Sequence, residues 1–584
     1  MSQQQNNDMQ QHFYRASAAD FGKIPGSPVA YWLSHTIADL FSSTEIYEKH
    51  FHIKAGICTG KNEDFINLWH EIDFGFLRKS EHGEFKYTPH NKGGEFRKWY
   101  GNFDSILKYS QKHLDAMSKN LGFRHDGKEY YFMEHVGWSK ITSSKSSFRK
   151  YPTGFTFDSA GLGLFCKEEG YLESALAFLN SNISTYILAL LNPTLNVTPQ
   201  ILKKIPFTLA PDRALENLQL LVEISKNDWN SYETSWEFPS LPLLYSKNHQ
   251  PKISAGCQHA RSNWLATTLE MQRLEEENNR LFIDGYGLQD ELTPEVPLNE
   301  ITLTCNPHYR YGGNLTDDER EARLQSDTIA ELISYAIGCM MGRYSLDRDG
   351  LVYAYAGNEG FKALEEEGAY TSFAADDDGI LPLTSENWFS DDVAARIEAF
   401  VATVWGKESL EENLSFIADS LNLYAVKPVK KGGETARETI RRYLSSQFYK
   451  DHLKTYKKRP IYWLFSSGKE KAFECLVYLH RYNESTLPRM RTEYVTPLLG
   501  QMASRIERKR MEQTEASTAE AKRIGKEIDS LNKQLTELRA FDDQLKHHAD
   551  MRITLDLDDG VKVNYGKFGT LLSDVKAITG DKGE

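Results

Sequence analysis

Two short segments hold the residue types that methyl transfer to a base amine would use. DSAGLGLF (158–165) has glycines that would let a turn of backbone approach a bound cofactor. It is one residue shorter than the usual Asp-Pro-Ala-x-Gly-x-Gly-x-Phe turn and lacks the proline. CNPHY (305–309) echoes the Asn-Pro-Pro-aromatic turn, in which Asn and backbone accept hydrogen bonds from the target amine and the aromatic stacks on a flipped base. Here His308 stands in the second proline's place. As a working site the pair would make the chain a self-contained S-adenosylmethionine-dependent methyltransferase using Asn306 to Tyr309. The plainer reading is a glycine turn between strand and helix, and a proline turn ending a strand. Loss of the second proline frees backbone that the motif must hold rigid, which favours the plainer reading.

Other catalytic patterns are missing from the sequence. There is no GxxxxGK[ST] loop, no GxSxG, no HExxH and no CxxC. Cysteines 58, 166, 257, 305, 339 and 475 are widely spaced and read as free thiols in a reducing compartment. No catalytic, cofactor-binding or metal-ligating residues are therefore expected.

Contact with nucleic acid has more support. GWSKITSSKSSFRKYPTGF (137–155) alternates Lys140, Lys145, Arg149 and Lys150 with hydroxyls such as Ser143 and Ser147, on a loop anchored by Trp138, Phe148 and Tyr151. Bases and short hydroxyls suit phosphates and base edges. Arg124 in GFRHDGKEYY, with Arg97 and Lys98 in GGEFRKWYG, adds further cations. Net charge is −13, but the signs separate along the chain. Residues 359–419 hold 15 acids and 3 bases, whereas 427–510 hold 20 bases and 8 acids. The basic segment, with Arg437 and Arg441 near one helical face, is either a phosphate-contacting surface or a partner of the adjoining acidic segment.

The elements that must position these residues can be read coarsely. With 40% hydrophobic and 12% aromatic residues, the chain is not disordered as a whole. The most apolar run, 175–191, is interrupted by Asn180, Ser181, Asn182, Ser184 and Thr185, so no membrane span is expected. Residues 1–20 read as a flexible start. Residues 21–210 read as one mixed α/β domain, with Ser27 and Pro28 opening a helix, strands through 51–165 and a helix over 171–191. Residues 211–300 read as a helical connector, in which Trp264, Met271, Leu274, Asn278 and Leu281 have heptad-like spacing. Residues 301–425 form an acidic α/β segment with a strand at ITLTC and a buried helix, TIAELISYAIGCMMGRY. Residues 426–584 form a basic helical domain. There Ile524, Ile528, Leu531, Leu535, Leu538 and Leu545 predict a coiled coil or long antiparallel hairpin near 500–548. A short strand pair is expected around Asp559-Gly560. The fold class is α+β or mixed: an N-terminal α/β domain followed by mainly helical domains.

Longer blocks carry a resemblance. IPGSPVAYWLS (24–34), NKGGEFRKWYGNFD (91–104), GWSKITSSKSSFRKYPTGFTFDSAG (137–161), KRPIYWLFSSGK (458–469) and LVYLHRYNESTLPRMRTEYV (476–495) resemble the PglX family, the adenine-specific DNA methyltransferases of BREX phage-defence systems. Members of that family are longer, and their cofactor turn and Asn-Pro-Pro-Tyr motif lie in an N-terminal half. The resemblance implies that this chain corresponds to the later portion, a target-recognition domain with helical domains after it. DSAGLGLF and CNPHY are then decoys. The polar start MSQQQNNDMQQ, with no apolar signal region, reads as that of a cytoplasmic protein. The resemblance implies double-stranded DNA binding and S-adenosylmethionine held by a methyltransferase half outside this chain. It also implies contact with that half and with other BREX components. The TGKN segment, with Lys61 and Asn62, resembles a loop near the catalytic-domain junction and would have a structural or DNA-backbone role.

Overall fold

The computed structural model describes residues 22–25, 35–77, 85–142, 145–192, 194, 196–245, 251–429 and 433–580. The flexible start at 1–20, the Ser27-Pro28 helix opening and Ser143 lie outside the described residues. The fold is mixed α+β, as expected. The chain divides into two compact units, each built from separated segments. One holds 1–66, 76–229 and 263–313; the other holds 67–75, 230–262 and 314–584.

The first unit contains the strands β1 (Phe51–Lys54), β2 (Ile66–Leu68), at whose start it ends, β3 (Tyr87–Asn91), β4 (Ser105–Lys108), β5 (His135–Ser139), β6 (Phe148–Tyr151), β7 (Thr156–Phe157) and β8 (Gly161–Cys166). They form two sheets, one ordered β1-β8-β5-β6 and one in which β3 lies between β4 and β7. Its helices are α1 (Gln111–Met117), α2 (Tyr171–Leu179), α3 (Asn182–Leu191), α4 (Asp212–Asn230) and most of α5 (Ile253–Tyr286).

The apolar stretch 171–191 is not one helix. It breaks between α2 and α3 with a bend of 77°. Asn180 causes the break: its Oδ1 accepts from the Phe148 N–H at 3.0 Å, and its Nδ2 donates to the Phe148 carbonyl at 2.9 Å. Ser181 then caps α3 by accepting from the Ser184 N–H. Ala175, Leu176, Phe178 and Ile183 are buried in the same core as Val136, Trp138 and Leu164 of the first sheet. No single described helix is long and apolar enough to cross a membrane.

The heptad-like face of α5 turns into this unit. Met271 and Leu274 are buried, and Asn278 Nδ2 donates to the Ala177 carbonyl of α2 at 3.0 Å. The asparagine thus registers one helix on another within the unit.

The strand expected at ITLTC is absent. Ile301 and Leu303 are buried, but the Asp228 carboxylate accepts from the N–H groups of Thr304 (2.7 Å) and Cys305 (2.9 Å). A side chain therefore satisfies amides that a ladder would otherwise use.

The second unit is mainly helical: α6 (Asp317–Met340), α7 (Val393–Trp405), α8 (Leu410–Leu423), α9 (Ala436–Tyr443), α10 (Tyr449–Thr455), α11 (Thr496–Glu515), α12 (Thr518–Asp550) and α13 (Gly560–Gly566). Strands β9 (Ile380–Pro382), β10 (Tyr462–Ser466) and β11 (Glu474–Tyr478) form an antiparallel sheet in the order β10-β11-β9. The helix expected from 433 is interrupted by a π-type turn, Leu444–Phe448, between α9 and α10.

Helices α11 and α12 form the expected antiparallel hairpin. Lys509 pairs with Glu527 at 3.3 Å, and Gln513 Nε2 donates to the Ala521 carbonyl at 2.9 Å. Ile524, Ile528, Leu531, Leu535, Leu538 and Leu545 are all buried, against a core that includes Leu498, Met502 and Ile506. The strand pair expected around Asp559-Gly560 is instead a 3₁₀ turn followed by α13. Asp556 accepts from the Asp558 N–H at 2.9 Å, and Asn564 Nδ2 donates back to the Asp556 and Gly560 carbonyls. These local side-chain bonds outcompete a hairpin ladder.

A polar cluster lies in the centre of this unit. Arg343, 0% exposed, donates to the hydroxyls of Tyr344 (3.2 Å) and Tyr478 (3.0 Å) and stacks over Trp69. Glu233 accepts from Ser334 and Tyr456, each at 3.1 Å. Burial pushes its carboxyl up to about 7.

Candidate nucleic-acid interface

The loop 137–155 is a β-hairpin. Strands β5 and β6 pair antiparallel from His135 opposite Tyr151 to Trp138 opposite Phe148. Trp138, Phe148 and Tyr151 are buried, and Trp138 Nε1 donates to the Val197 carbonyl at 2.9 Å. The aromatics therefore anchor the hairpin, and its tip projects polar residues. Lys140 is half-buried, and Lys145 is exposed and paired with Glu300 at 2.8 Å. Ile141, 68% exposed, also lies on the tip.

The hairpin's other predicted contacts face inward. Ser147 and Arg149 are buried, and Arg149 Nη1 donates to the Arg97 carbonyl (3.0 Å) and to Ser147 Oγ (3.3 Å). Lys150 is half-buried between Glu134 (3.1 Å) and Glu173 (3.2 Å). Residues 97–100 run along β6, with Trp99 N–H donating to the Phe148 carbonyl and Lys150 N–H to the Trp99 carbonyl. Their cations enter the helical layer. Arg97 pairs with Asp228 at 3.2 Å, bonds Thr304 and stacks over Trp229. Lys98 pairs with Glu275, whose other oxygen accepts from Trp99 Nε1 at 2.8 Å. As placed, Arg97, Lys98, Ser147 and Arg149 offer no group to solvent. In this structure the four side chains pack the interior, Arg97 and Lys98 on carboxylates and Arg149 on the Arg97 carbonyl and Ser147 Oγ. Asp228 and Glu275, the partners that decide this, were not singled out in the sequence.

Lys61, Asn62 and Arg124 remain on the surface. Lys61 lies 3.5 Å from Asp64, Asn62 Oδ1 accepts from Thr59 Oγ1 at 2.7 Å, and Arg124 pairs with Asp126 at 3.0 Å. The Thr59–Asn62 and Asn120–Arg124 segments are adjacent, with Cys58 and Arg124 exchanging backbone hydrogen bonds at 2.9 and 3.0 Å.

In the second unit the basic helix is neutralised by the acidic segment, the alternative that charge segregation left open. Arg437 pairs with Glu398 (2.7 Å) and Glu411 (2.6 Å). Arg441 holds Asp392 at 2.9 Å and donates to the Thr384 carbonyl. Arg442 clasps Glu434 at 2.8 Å. In this structure the forks of Arg437 and Arg441 are engaged by carboxylates of the same unit.

Neither catalytic echo is shaped for catalysis. Gly163 is paired in the sheet by both β1 and β5, and Gly161, which opens β8, is paired with Ser139 of β5. A Cβ at Gly161 would stand 2.3 Å from the Asn91 carbonyl oxygen, so the glycine serves close packing. Asn306 is 0% exposed and its amide is fully engaged: Oδ1 accepts from the His308 N–H, and Nδ2 donates to the Leu298 and Ile301 carbonyls. Tyr309 donates to the Phe96 carbonyl at 2.5 Å. All six cysteines are unpaired, and burial pushes the thiols of Cys305 and Cys475 well up and that of Cys257 up to about 12. No cluster of His, Cys, Asp and Glu among the described residues could hold a metal.

No family model matches the chain. Among curated proteins it is 48% identical over 569 residues to the adenine-specific methyltransferase BrxX of Escherichia coli O9:H4 (strain HS), covering 97% of this chain and 46% of that protein. It is 37% identical over 590 residues to the adenine-specific methyltransferase PglX of Lacticaseibacillus casei (strain Zhang), with the same coverages of 97% and 46%. Over nearly its whole length the chain is similar to a portion of each of these two methyltransferases. It spans about half the length of the curated relatives it matches. The buried pairs Arg97–Asp228 and Lys98–Glu275 lie within this matched half.

Proposed function

We propose that the chain is the DNA-recognition portion of a PglX-like, site-specific adenine-N6 DNA methyltransferase acting in BREX phage defence. It binds duplex DNA and positions the target adenine for a methyltransferase domain outside this chain. The observation that carries this reading is the pairing of 48% identity over 97% of the chain with coverage of 46% of an adenine-specific methyltransferase. The occupied Asn306 amide and the close packing of Gly161 against Asn91 support a division of labour. S-adenosylmethionine binding and base extrusion belong to the other half. Lys61, Arg124, Lys140 and Lys145 supply phosphate contacts from the first unit, and duplex DNA, that other half and further BREX components are the partners.

Fluorescence anisotropy of this chain with duplex DNA across a salt series tests the reading. Affinity that falls linearly with the logarithm of salt concentration supports it. Absence of binding at low salt, with and without the methyltransferase half supplied in trans, overturns it.

One observation favours a second reading, an assembly scaffold. The basic segment of the second unit is tied to acids of the same unit through Arg437, Arg441 and Arg442. Failure to bind DNA together with capture of the other half would select that reading.

A further inference from the structure

The turn after α1 in the first unit carries Leu121, which is 98% exposed, more than any other large apolar residue described. The turn is held stiffly. Asn120 Nδ2 donates to the Thr59 carbonyl at 3.1 Å, Asn120 N–H to the Met117 carbonyl at 2.9 Å, and Phe123 N–H to the Asn120 carbonyl at 3.2 Å. Gly60, at φ +76°, lies so close that a Cβ there would stand 2.7 Å from Asn120 Cβ and 2.9 Å from the Leu121 carbonyl oxygen. Gly122, at φ +84°, reverses the chain immediately after the leucine. Behind the tip, Phe123, His125 and Tyr131 pack with ring centroids 5.6 to 6.0 Å apart.

A leucine so placed contributes no burial to the fold, because its side chain stays in water. A protein-docking face would be a contiguous apolar patch of several hundred Å². Here a single apolar side chain stands on a firm base. Lys119 adjoins it, exposed and with no ion-pair partner among the described residues, and Lys61 and Arg124 flank it on the adjacent segments in exposed ion pairs with Asp64 and Asp126, which phosphates can displace. An apolar wedge that unstacks a base step, with cations on the phosphates to either side, has this composition.

We propose that Leu121 inserts between stacked bases of duplex DNA, with Lys119, Lys61 and Arg124 on the neighbouring phosphates. The proposal rests on the DNA-binding reading above and adds to it a mechanical step, local unstacking.

Insertion unwinds the helix, so a topoisomerase relaxation assay on closed circular DNA reads it without knowledge of the recognised sequence. The wild-type chain is expected to shift the topoisomer distribution in proportion to protein bound. Leu121→Ala is expected to bind the same DNA within about tenfold, since it saves the unstacking cost as it loses the contact. It is expected to abolish the shift. Lys119→Ala is expected to lower the salt slope by about one while keeping the shift per bound protein. Wild-type chain that binds in anisotropy but shifts no topoisomers overturns the wedge and leaves DNA binding standing. So does a Leu121→Ala chain that shifts them as wild type does. Absence of wild-type binding at every salt overturns both. Because Leu121 touches nothing in the fold, misfolding does not confound its substitution.

Discussion

Arg97 and Asp228 stand 131 residues apart in sequence and meet at 3.2 Å, with both side chains almost wholly withdrawn from solvent. Asp228 also receives the Thr304 and Cys305 amides, so one carboxylate ties the β-rich part of the first unit to its helices and to the 301–305 loop. Removing one partner leaves the other buried and unpaired. Asp228→Ala is expected to lower unfolding stability by about 3 kcal/mol or more. Arg97→Ala should lose a similar amount. Urea denaturation monitored by circular dichroism measures both, and an unchanged midpoint in either variant would show that the pair is not closed in solution.

The hairpin tip should behave oppositely. Lys145 is 47% exposed at its side chain and its pair with Glu300 lies at the surface, so Lys145→Ala is expected to leave stability within about 1 kcal/mol. With Lys140→Ala added, the salt slope of DNA binding should fall by about two, one per phosphate contact. An unchanged slope would remove the tip from the interface.

The basic helix α9 carries a distinct expectation. Because Arg437 is held by Glu398 and Glu411, Arg437→Ala should leave DNA affinity and salt slope unaltered. Loss of affinity in anisotropy would mean that the arginine exchanges its carboxylates for phosphate on binding.

Glu233 makes stability depend on pH. Burial pushes its carboxyl from the ordinary 4.5 up to about 7. Between those values the native state keeps a proton that the unfolded chain releases, so stability falls as pH rises and levels off above about 7. Glu233→Gln should flatten the fall between pH 5 and pH 8 by on the order of 3 kcal/mol. Urea midpoints measured across that range check the prediction, and an unchanged slope in the variant would exclude Glu233 as the titrating group.

Much of the local structure was legible because it depends on near neighbours. The 4, 3, 4, 3 spacing of Ile524, Ile528, Leu531, Leu535 and Leu538 specifies one apolar face, and that face is buried in α12. Trp138, Phe148 and Tyr151 were rightly read as the anchors of a loop. Errors arose where a polar side chain from elsewhere took over the backbone. Asp228 replaced the ladder expected at ITLTC, Asn180 split an apolar helix by bonding Phe148, and Asp556 with Asn564 wound a helix where a hairpin was expected.

By itself the sequence determined the mixed α+β class, the apolar face of a coiled coil or helical hairpin near 500–548 and, through blocks such as KRPIYWLFSSGK, the likeness to PglX proteins. Only tertiary structure decided which cations are available. Arg97, Lys98 and Arg149 look no different in sequence from Lys61, Arg124 and Lys145. The difference is burial: Arg97, Lys98 and Arg149 are withdrawn from water by the packing of distant segments, whereas Lys61, Arg124 and Lys145 stay in water even with a carboxylate beside each. A charge withdrawn from water must find an internal partner, and a charge left in water need not.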